Sequence, residues 1–191
     1  MSRTKKDRAR KGPPTLKERW LAWYANQGPL LLFGLKFGLS LALLYTLLSL
    51  TFFDRALYTY LEANAWLANA ILRGLGQPTH VSEVTIQSPL FVMAIRRGCD
   101  AVEPTWLLCT ALFAFPASMI QKVRGMLMAI ILLQALNLVR IITLYWIGIH
   151  LPAFFNTAHV ELWPTVFIIV CIVYFVSWKE WSHGPESPVA A

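Results

Sequence analysis

The chain has 191 residues, of which 57% are hydrophobic, 13% aromatic and 14% charged, with a formal net charge of +7. An ordinary soluble domain is about 45–50% apolar and about 25% charged, so this composition excludes a standard soluble fold; it also excludes a disordered chain, which needs low hydrophobicity and high charge. Three cysteines are too few for a disulfide scaffold, and the reading that remains is an all-α integral membrane protein.

In chain order, residues 1–28 form a basic segment carrying Arg3, Lys5, Lys6, Arg8, Arg10, Lys11, Lys17 and Arg19. Directly ahead of an apolar run, such charge sets topology and faces anionic lipid; it does not indicate nucleic-acid binding. Residues 29–181 make one membrane domain. A helix needs about 20 apolar residues to cross a bilayer, and spans are predicted near 30–53, 104–120, 125–149 and 162–178. Lys36 is the only charge in the first and Arg140 the only one in the third. No small-residue cleavage site follows the first run, which therefore reads as an anchor and not as a cleaved signal.

The segment from about 54 to 103 is too long for a connector. In ALYTYLEANAWLANAILRGLG, Arg55, Thr59, Glu62, Asn69 and Arg73 recur at helical spacing on one side. Leu57, Leu61, Ala65, Ala68 and Leu72 recur on another, which predicts an amphipathic helix lying in the membrane interface. Reading it as a fifth span would invert every later segment. Gly74, Gly76 and Pro78 end it. The β-branched stretch HVSEVTIQSPLFVMAIRRGC, split at Ser88-Pro89, predicts a small extracytoplasmic β-hairpin whose second arm leads to Arg96-Arg97-Gly98-Cys99. Asp100-x-x-Glu103 has the form of a capping box, placing a helix start near Asp100, with Pro104 in its first turn. Lys122, Arg124 and Lys179 lie on the side of the basic N-terminus, so both termini, including the tail 182–191, are expected in the cytoplasm, with two loops outside.

Arg140 is the most informative residue. It lies about ten residues, roughly 15 Å of helix, from the outer end of its span, where an arginine costs several kcal/mol unless it finds partners. Gln134 and Asn137 share its face. Helix–helix adhesion explains the amides well and the arginine less well. Cys99 precedes a helix start beside Arg96 and Arg97, which favour the thiolate, whereas Asp100 and Glu103 oppose it. Cys109 and Cys171 lie inside spans and read as small buried hydrophobes. His150 and His159 are both outside, and either could serve Cys99 as a base. Cys99, Arg140 and a histidine, from separate segments on one side of the membrane, support a cysteine–histidine–arginine site for acyl transfer. The sequence has no HExxH, Cys-x-x-Cys, phosphate-loop or Gly-x-Ser-x-Gly pattern.

At these residues the chain resembles the exosortase/archaeosortase family of membrane cysteine transpeptidases. The matching elements are RRGCDAVEP around Cys99, NLVRI from Asn137 to Ile141, and His159 before the last span. The resemblance covers roughly residues 30–180. It implies Cys99 as nucleophile, Arg140 as the essential arginine and His159 as the essential histidine. Asn137, Arg97 and Glu103 are assigned to substrate binding or support, and His150 is left without a role. Many members carry Cys-Ser-Gly where this chain has Cys99-Asp100-Ala101; the compact chain is most like the exosortase H group. The implied substrates are secreted proteins with a C-terminal tripartite signal of motif, transmembrane helix and basic cluster, for this group IPTLxxWG-type tails. Cleavage would occur outside a bacterial inner membrane, with transfer to an acceptor nucleophile. Membrane lipids are expected as surroundings, and no metal, other cofactor or nucleic acid is implied. Two rival readings are a non-catalytic membrane assembly factor that uses the polar stripe to bind a partner helix, and a handler of lipid-linked phosphate held by Arg96, Arg97 and Arg140.

Overall fold

The structure, a computed structural model, describes residues 15–183. The basic stretch 1–14 and the end of the tail lie outside the described residues. Helix α1 runs from Leu16 to Leu48 and α2 from Thr51 to Gly74. Three short strands follow: β1 His80–Ser82, β2 Thr85–Gln87 and β3 Val92–Ala94. Then come α3 Val102–Ala114, α4 Met119–His150, a 3-10 turn at Pro152–Phe154, the single turn α5 Phe155–Thr157, a π turn at Ala158–Leu162, and α6 Trp163–His183.

Among the described residues, three helical segments are long and apolar enough to cross a membrane: Leu30–Leu47 within α1, Met119–His150, and Pro152–Ser182. The predicted second span is shorter than expected. With 13 residues, α3 rises about 20 Å against a hydrocarbon core of about 30 Å. Phe115 takes an extended conformation, and Ser118 opens a new helix. Its hydroxyl accepts from the Gln121 N–H while the Gln121 side chain accepts from the Ser118 N–H. This capping box starts α4 at Met119, six residues ahead of the expected start. The first span is also trimmed, because the chain breaks at Ser49-Leu50 and Phe53 belongs to α2.

Packing is tight on one face of α4 and open on the other. Gly125, Ala129, Leu133, Asn137, Arg140, Ile141, Leu144, Tyr145 and Gly148 are buried, at the i, i+3/i+4 spacing of a single helical stripe. Ile130, Ile131 and Val139 on the opposite side are exposed, as suits a helix whose solvent is hydrocarbon. Helix α6 packs against the start of α4. The Tyr174 hydroxyl donates to the Gly125 carbonyl at 2.6 Å, and Trp178 Nε1 donates to the Gln121 carbonyl at 3.3 Å. A Cβ at Gly125 would overlap the Trp178 indole, so glycine is what permits this approach. Helix α1 meets α3 through a polar contact, with Ser40 Oγ 2.8 Å from Thr110 Oγ1 and Trp106 Nε1 donating to the Ser40 carbonyl at 3.2 Å.

The amphipathic reading of α2 holds at the level of burial. Leu61, Ala65, Ala68 and Leu72 are in the core, while Arg55, Thr59 and Arg73 are exposed. The expected two-armed hairpin is instead a three-stranded antiparallel sheet, ordered β1-β2-β3, with Val81 opposite Ile86 and Ile86 opposite Met93. The first arm folds back on itself at Glu83-Val84, where Glu83 adopts φ +55°. Non-glycine residues rarely visit that region, so the sequence carried no turn signal there. The Ser88-Pro89 turn joins β2 to β3, and the Ser88 hydroxyl accepts from the Phe91 N–H at 3.0 Å. Ile86, Met93 and Ile95 bury one sheet face in the core shared with Leu61 and Leu72.

Candidate active site

The chain leaves β3 through a tight turn in which the Cys99 N–H bonds to the Arg96 carbonyl at 2.9 Å. Gly98 has φ +86° and Ala101 φ +56°, so Cys99 stands between two left-handed residues. For alanine that conformation costs roughly 1–2 kcal/mol, and strain of this kind persists only where the surroundings enforce it. The enforcing contacts are visible. Asp100 is buried and its Oδ1 accepts from the Val102 N–H at 3.1 Å, while the Tyr60 hydroxyl of α2 lies 2.8 Å from the Asp100 carbonyl oxygen. The expected Asp100–Glu103 capping box therefore does not form. Ala101 is the N-cap residue, no side chain caps α3, and Asp100 closes a local turn instead.

His159 comes from the π turn that enters α6. Such turns are rare and often mark functional sites. Its ring stacks on Phe155, with centroids 6.0 Å apart and planes 7° from parallel. Cys99 Sγ lies 3.6 Å from His159 Nδ1 and 3.5 Å from Nε2, so the sulfur is nearly equidistant from both ring nitrogens and either tautomer presents one toward it.

Arg140 reaches this pair from the middle of α4. It is 5% exposed. Nη1 donates to the Gly98 carbonyl at 3.2 Å and Nη2 to the His159 carbonyl at 3.3 Å, with Nη2 3.9 Å from Cys99 Sγ. One planar guanidinium thus bridges the backbone of both loops that carry the sulfur and the imidazole, and places its charge beside the sulfur. The Phe167 ring lies against it, 5.8 Å from the guanidinium carbon, within cation–π range. Nε is buried with no hydrogen-bond partner among the described residues.

The sequence left the direction of the Cys99 shift open. Burial pushes the thiol above its ordinary range. The Arg140 charge and a backbone hydrogen bond at Arg96 pull it down, and Asp100 adds to the rise.

A pocket of about 130 Å³ exposes this cluster, lined by Cys99, Arg140, His159, Phe155 and the segment Met93–Arg97. A second, of about 230 Å³, lies on the other side of Arg140, against Gly98, Glu103, Pro164 and Phe167. The structure brings Cys99, Arg140 and His159 together. It does not bring Asn137, Arg97 or Glu103 into contact with the sulfur. Asn137 is fully buried, and its Nδ2 donates to Asn64 Oδ1 at 3.2 Å. Arg97 is ion-paired with Asp54 on α2, in the open, and borders the smaller pocket. Glu103 is exposed and borders the larger one. His150, the other histidine considered for Cys99, is exposed and stacks on Trp146 with planes 5° from parallel.

The polar stripe of α4 divides in two. Arg140 turns to the site, while Gln134 and Asn137 turn to α2, where both donate to Asn64 Oδ1, at 2.7 and 3.2 Å. Tyr60 joins the Gln134 amide to the Asp100 turn. Tyr60 and Asn64 escaped the sequence reading because their partners lie 40 to 74 residues away; four-residue spacing on one helix was their only signal. Phe155 and Phe167, which flank the histidine and the arginine, were likewise missed among many aromatics.

Compared with known proteins, residues 19–182 match the family described as Transmembrane exosortase (Exosortase_EpsH). No curated protein and no solved structure matches the chain.

Proposed function

Because the chain belongs to the transmembrane exosortase family, we propose that it is a membrane-embedded cysteine transpeptidase with Cys99 as nucleophile, His159 as the proton carrier and Arg140 as the cation that holds the site and the developing oxyanion. The observation that carries this reading is the convergence of the three side chains, from three separate segments, with the sulfur 3.5 Å from an imidazole nitrogen and 3.9 Å from a guanidinium nitrogen.

The chemistry follows from that geometry. With the thiol raised by burial, attack needs a base in contact, and His159 takes the Cys99 proton as the sulfur approaches the scissile carbonyl. The C–S bond forms and the carbonyl oxygen gains negative charge. Arg140 has two donors committed to backbone carbonyls, and its remaining N–H groups, Nε among them, can meet that charge. His159 then returns the proton to the departing amine, the C–N bond breaks, and a thioester remains. An acceptor nucleophile attacks the thioester and releases the thiolate, which is reprotonated. Water, an amine or a lipid group satisfies this scheme equally.

The substrate class is the tripartite C-terminal signal of secreted proteins, with IPTLxxWG-type tails as the first to try. The protein would sit in a bacterial inner membrane with both termini in the cytoplasm and the site facing out. Four crossings require α3 to span with fewer residues than a bilayer usually takes, through local thinning or burial against α1, α4 and α6. The rival assembly-factor reading needs Gln134 and Asn137 free for a partner helix, yet Asn64 of the same chain already occupies both.

The test is the intact mass of a secreted protein bearing an IPTLxxWG-type tail, co-expressed with the wild-type enzyme or with Cys99→Ala. Tail loss with wild type alone is the expected result, and the mass that remains identifies the acceptor. Processing by Cys99→Ala would refute the mechanism.

A further inference from the structure

Strand β3 is an edge strand, since β2 pairs with one side of it and, among the described residues, no strand with the other. The register fixes which of its groups are free. The Ile95 N–H bonds to the Val84 carbonyl, and the Ser88 N–H bonds to the Phe91 carbonyl. Pairing in an antiparallel ladder alternates, so Phe91, Met93 and Ile95 turn their backbone groups toward β2. Val92 and Ala94 turn theirs away. Among the described residues, no hydrogen bond outside the sheet ladder involves the N–H or C=O of either. Both side chains are exposed.

An exposed row of backbone donors and acceptors invites another strand, and proteins usually blunt or cover such an edge. Here it borders an open groove of about 520 Å³, walled on the far side by Pro152 and Phe155. The groove shares Met93, Ala94, Arg96 and Phe155 with the smaller pocket that holds Cys99, Arg140 and His159. One continuous trough therefore leads from the free edge of β3 to the sulfur.

We propose that the extracytoplasmic part of the substrate tail, the residues on the amino side of the scissile bond, docks as an added strand on the free edge of β3, bonded to the backbone of Val92 and Ala94. This rests on the transpeptidase reading above. Main-chain pairing supplies affinity, and alternate side chains of the tail face the groove or the solvent. The direction is also set. Cys99 lies beyond the carboxyl end of β3, and the tail's membrane helix follows its cleavage point. The tail thus runs parallel to β3, from Val92 toward Ala94 and on to Cys99. At about 3.3 Å per residue, the three residues of β3 guide about three residues of the tail.

Ala94→Pro removes a donor on the free edge and spares the bonds to β2, which come from the neighbouring residues; proline is tolerated in strands in just this position. Ala94→Ser keeps the donor and serves as the control. The substrate is the secreted protein with an IPTLxxWG-type tail, and the rate of Cys99 alkylation by iodoacetamide, in a background lacking Cys109 and Cys171, reports whether the pocket is intact. The expected result is processing about tenfold or more slower in Ala94→Pro than in Ala94→Ser, as for the loss of backbone hydrogen bonds, with unchanged alkylation in both. A proline scan of the tail, which leaves the enzyme untouched, should give loss and tolerance at alternating positions. Normal processing by an intact Ala94→Pro, or a scan without that alternation, overturns the docking mode while the transpeptidase reading stands. A wild-type enzyme that cuts no tripartite tail overturns that reading, and this proposal with it.

Discussion

Arg140→Lys separates the two roles of the guanidinium, because it keeps the charge and removes the fork. In the wild type, Arg140 donates to the carbonyls of Gly98 and His159 at 3.2 and 3.3 Å. A hydrogen bond from a charged donor is worth about 1.5–3 kcal/mol, and a single ammonium, shorter in reach and without the planar fork, satisfies one of these acceptors, not both. The loss is therefore about 1.5–3 kcal/mol of the interaction that fixes the Cys99 turn relative to His159. At 1.36 kcal/mol per factor of ten, this corresponds to roughly 10- to 150-fold in the rate of tail processing. The defect should fall on turnover more than on half-saturating substrate, since it concerns the alignment of sulfur and imidazole and not the groove beside β3. The assay is a time course of tail loss by intact mass, in membranes containing equal amounts of wild type and variant. Arg140→Met, which removes the charge as well, should be worse by the further loss of an oxyanion donor, about 10²–10³-fold. Wild-type turnover in Arg140→Lys would refute the bridging argument, and equal defects in the two variants would refute the separate role of charge.

Three further outcomes follow from the structure. Burial raises the Cys99 thiol, so its thiolate fraction near neutral pH lies below that of a free cysteine; alkylation should still be climbing at pH 8.5, near the ordinary thiol midpoint, Asp100→Asn should move the profile to lower pH, and a plateau below pH 8 would contradict the shift. Gly125→Ala forces a Cβ into the Trp178 indole, an overpacking expected to cost about 1–3 kcal/mol; a lowered unfolding midpoint in detergent checks it, and an unchanged midpoint shows that Trp178 is free to move. Asn64→Leu leaves Gln134 Nε2 and Asn137 Nδ2 without their acceptor, at about 1–3 kcal/mol each, whereas replacing all three amides by leucine should restore much of the stability; a triple variant no better than the single one would show that the network is not self-contained.

The sequence by itself determined the apolar runs, the amphipathic period of α2 and the presence of Cys99, Arg140 and His159 in one chain order. These are local or one-dimensional properties: the length of a hydrophobic run against bilayer thickness, the spacing of leucines on a helix, and the side on which basic residues gather. Some local signals were present and outweighed. Ser118-x-x-Gln121 is a capping box that starts α4, and it went unread inside an apolar stretch. Asp100-x-x-Glu103 has the same form and caps nothing, because Ala101 takes a left-handed conformation that turns the chain before the helix begins.

What only the tertiary structure decided depends on contacts between segments distant in sequence. His159 and not His150 meets the sulfur because a π turn rotates it inward against Phe155, while His150 ends its helix stacked on Trp146. Asn137 is separated from Arg140 in purpose by Asn64, a residue on another helix. The third strand arises from a turn at Glu83 that no residue type announces. Hydrophobic length and period are summed along the chain and can be read there; distances of 3 to 4 Å between side chains from different elements are set by how those elements pack.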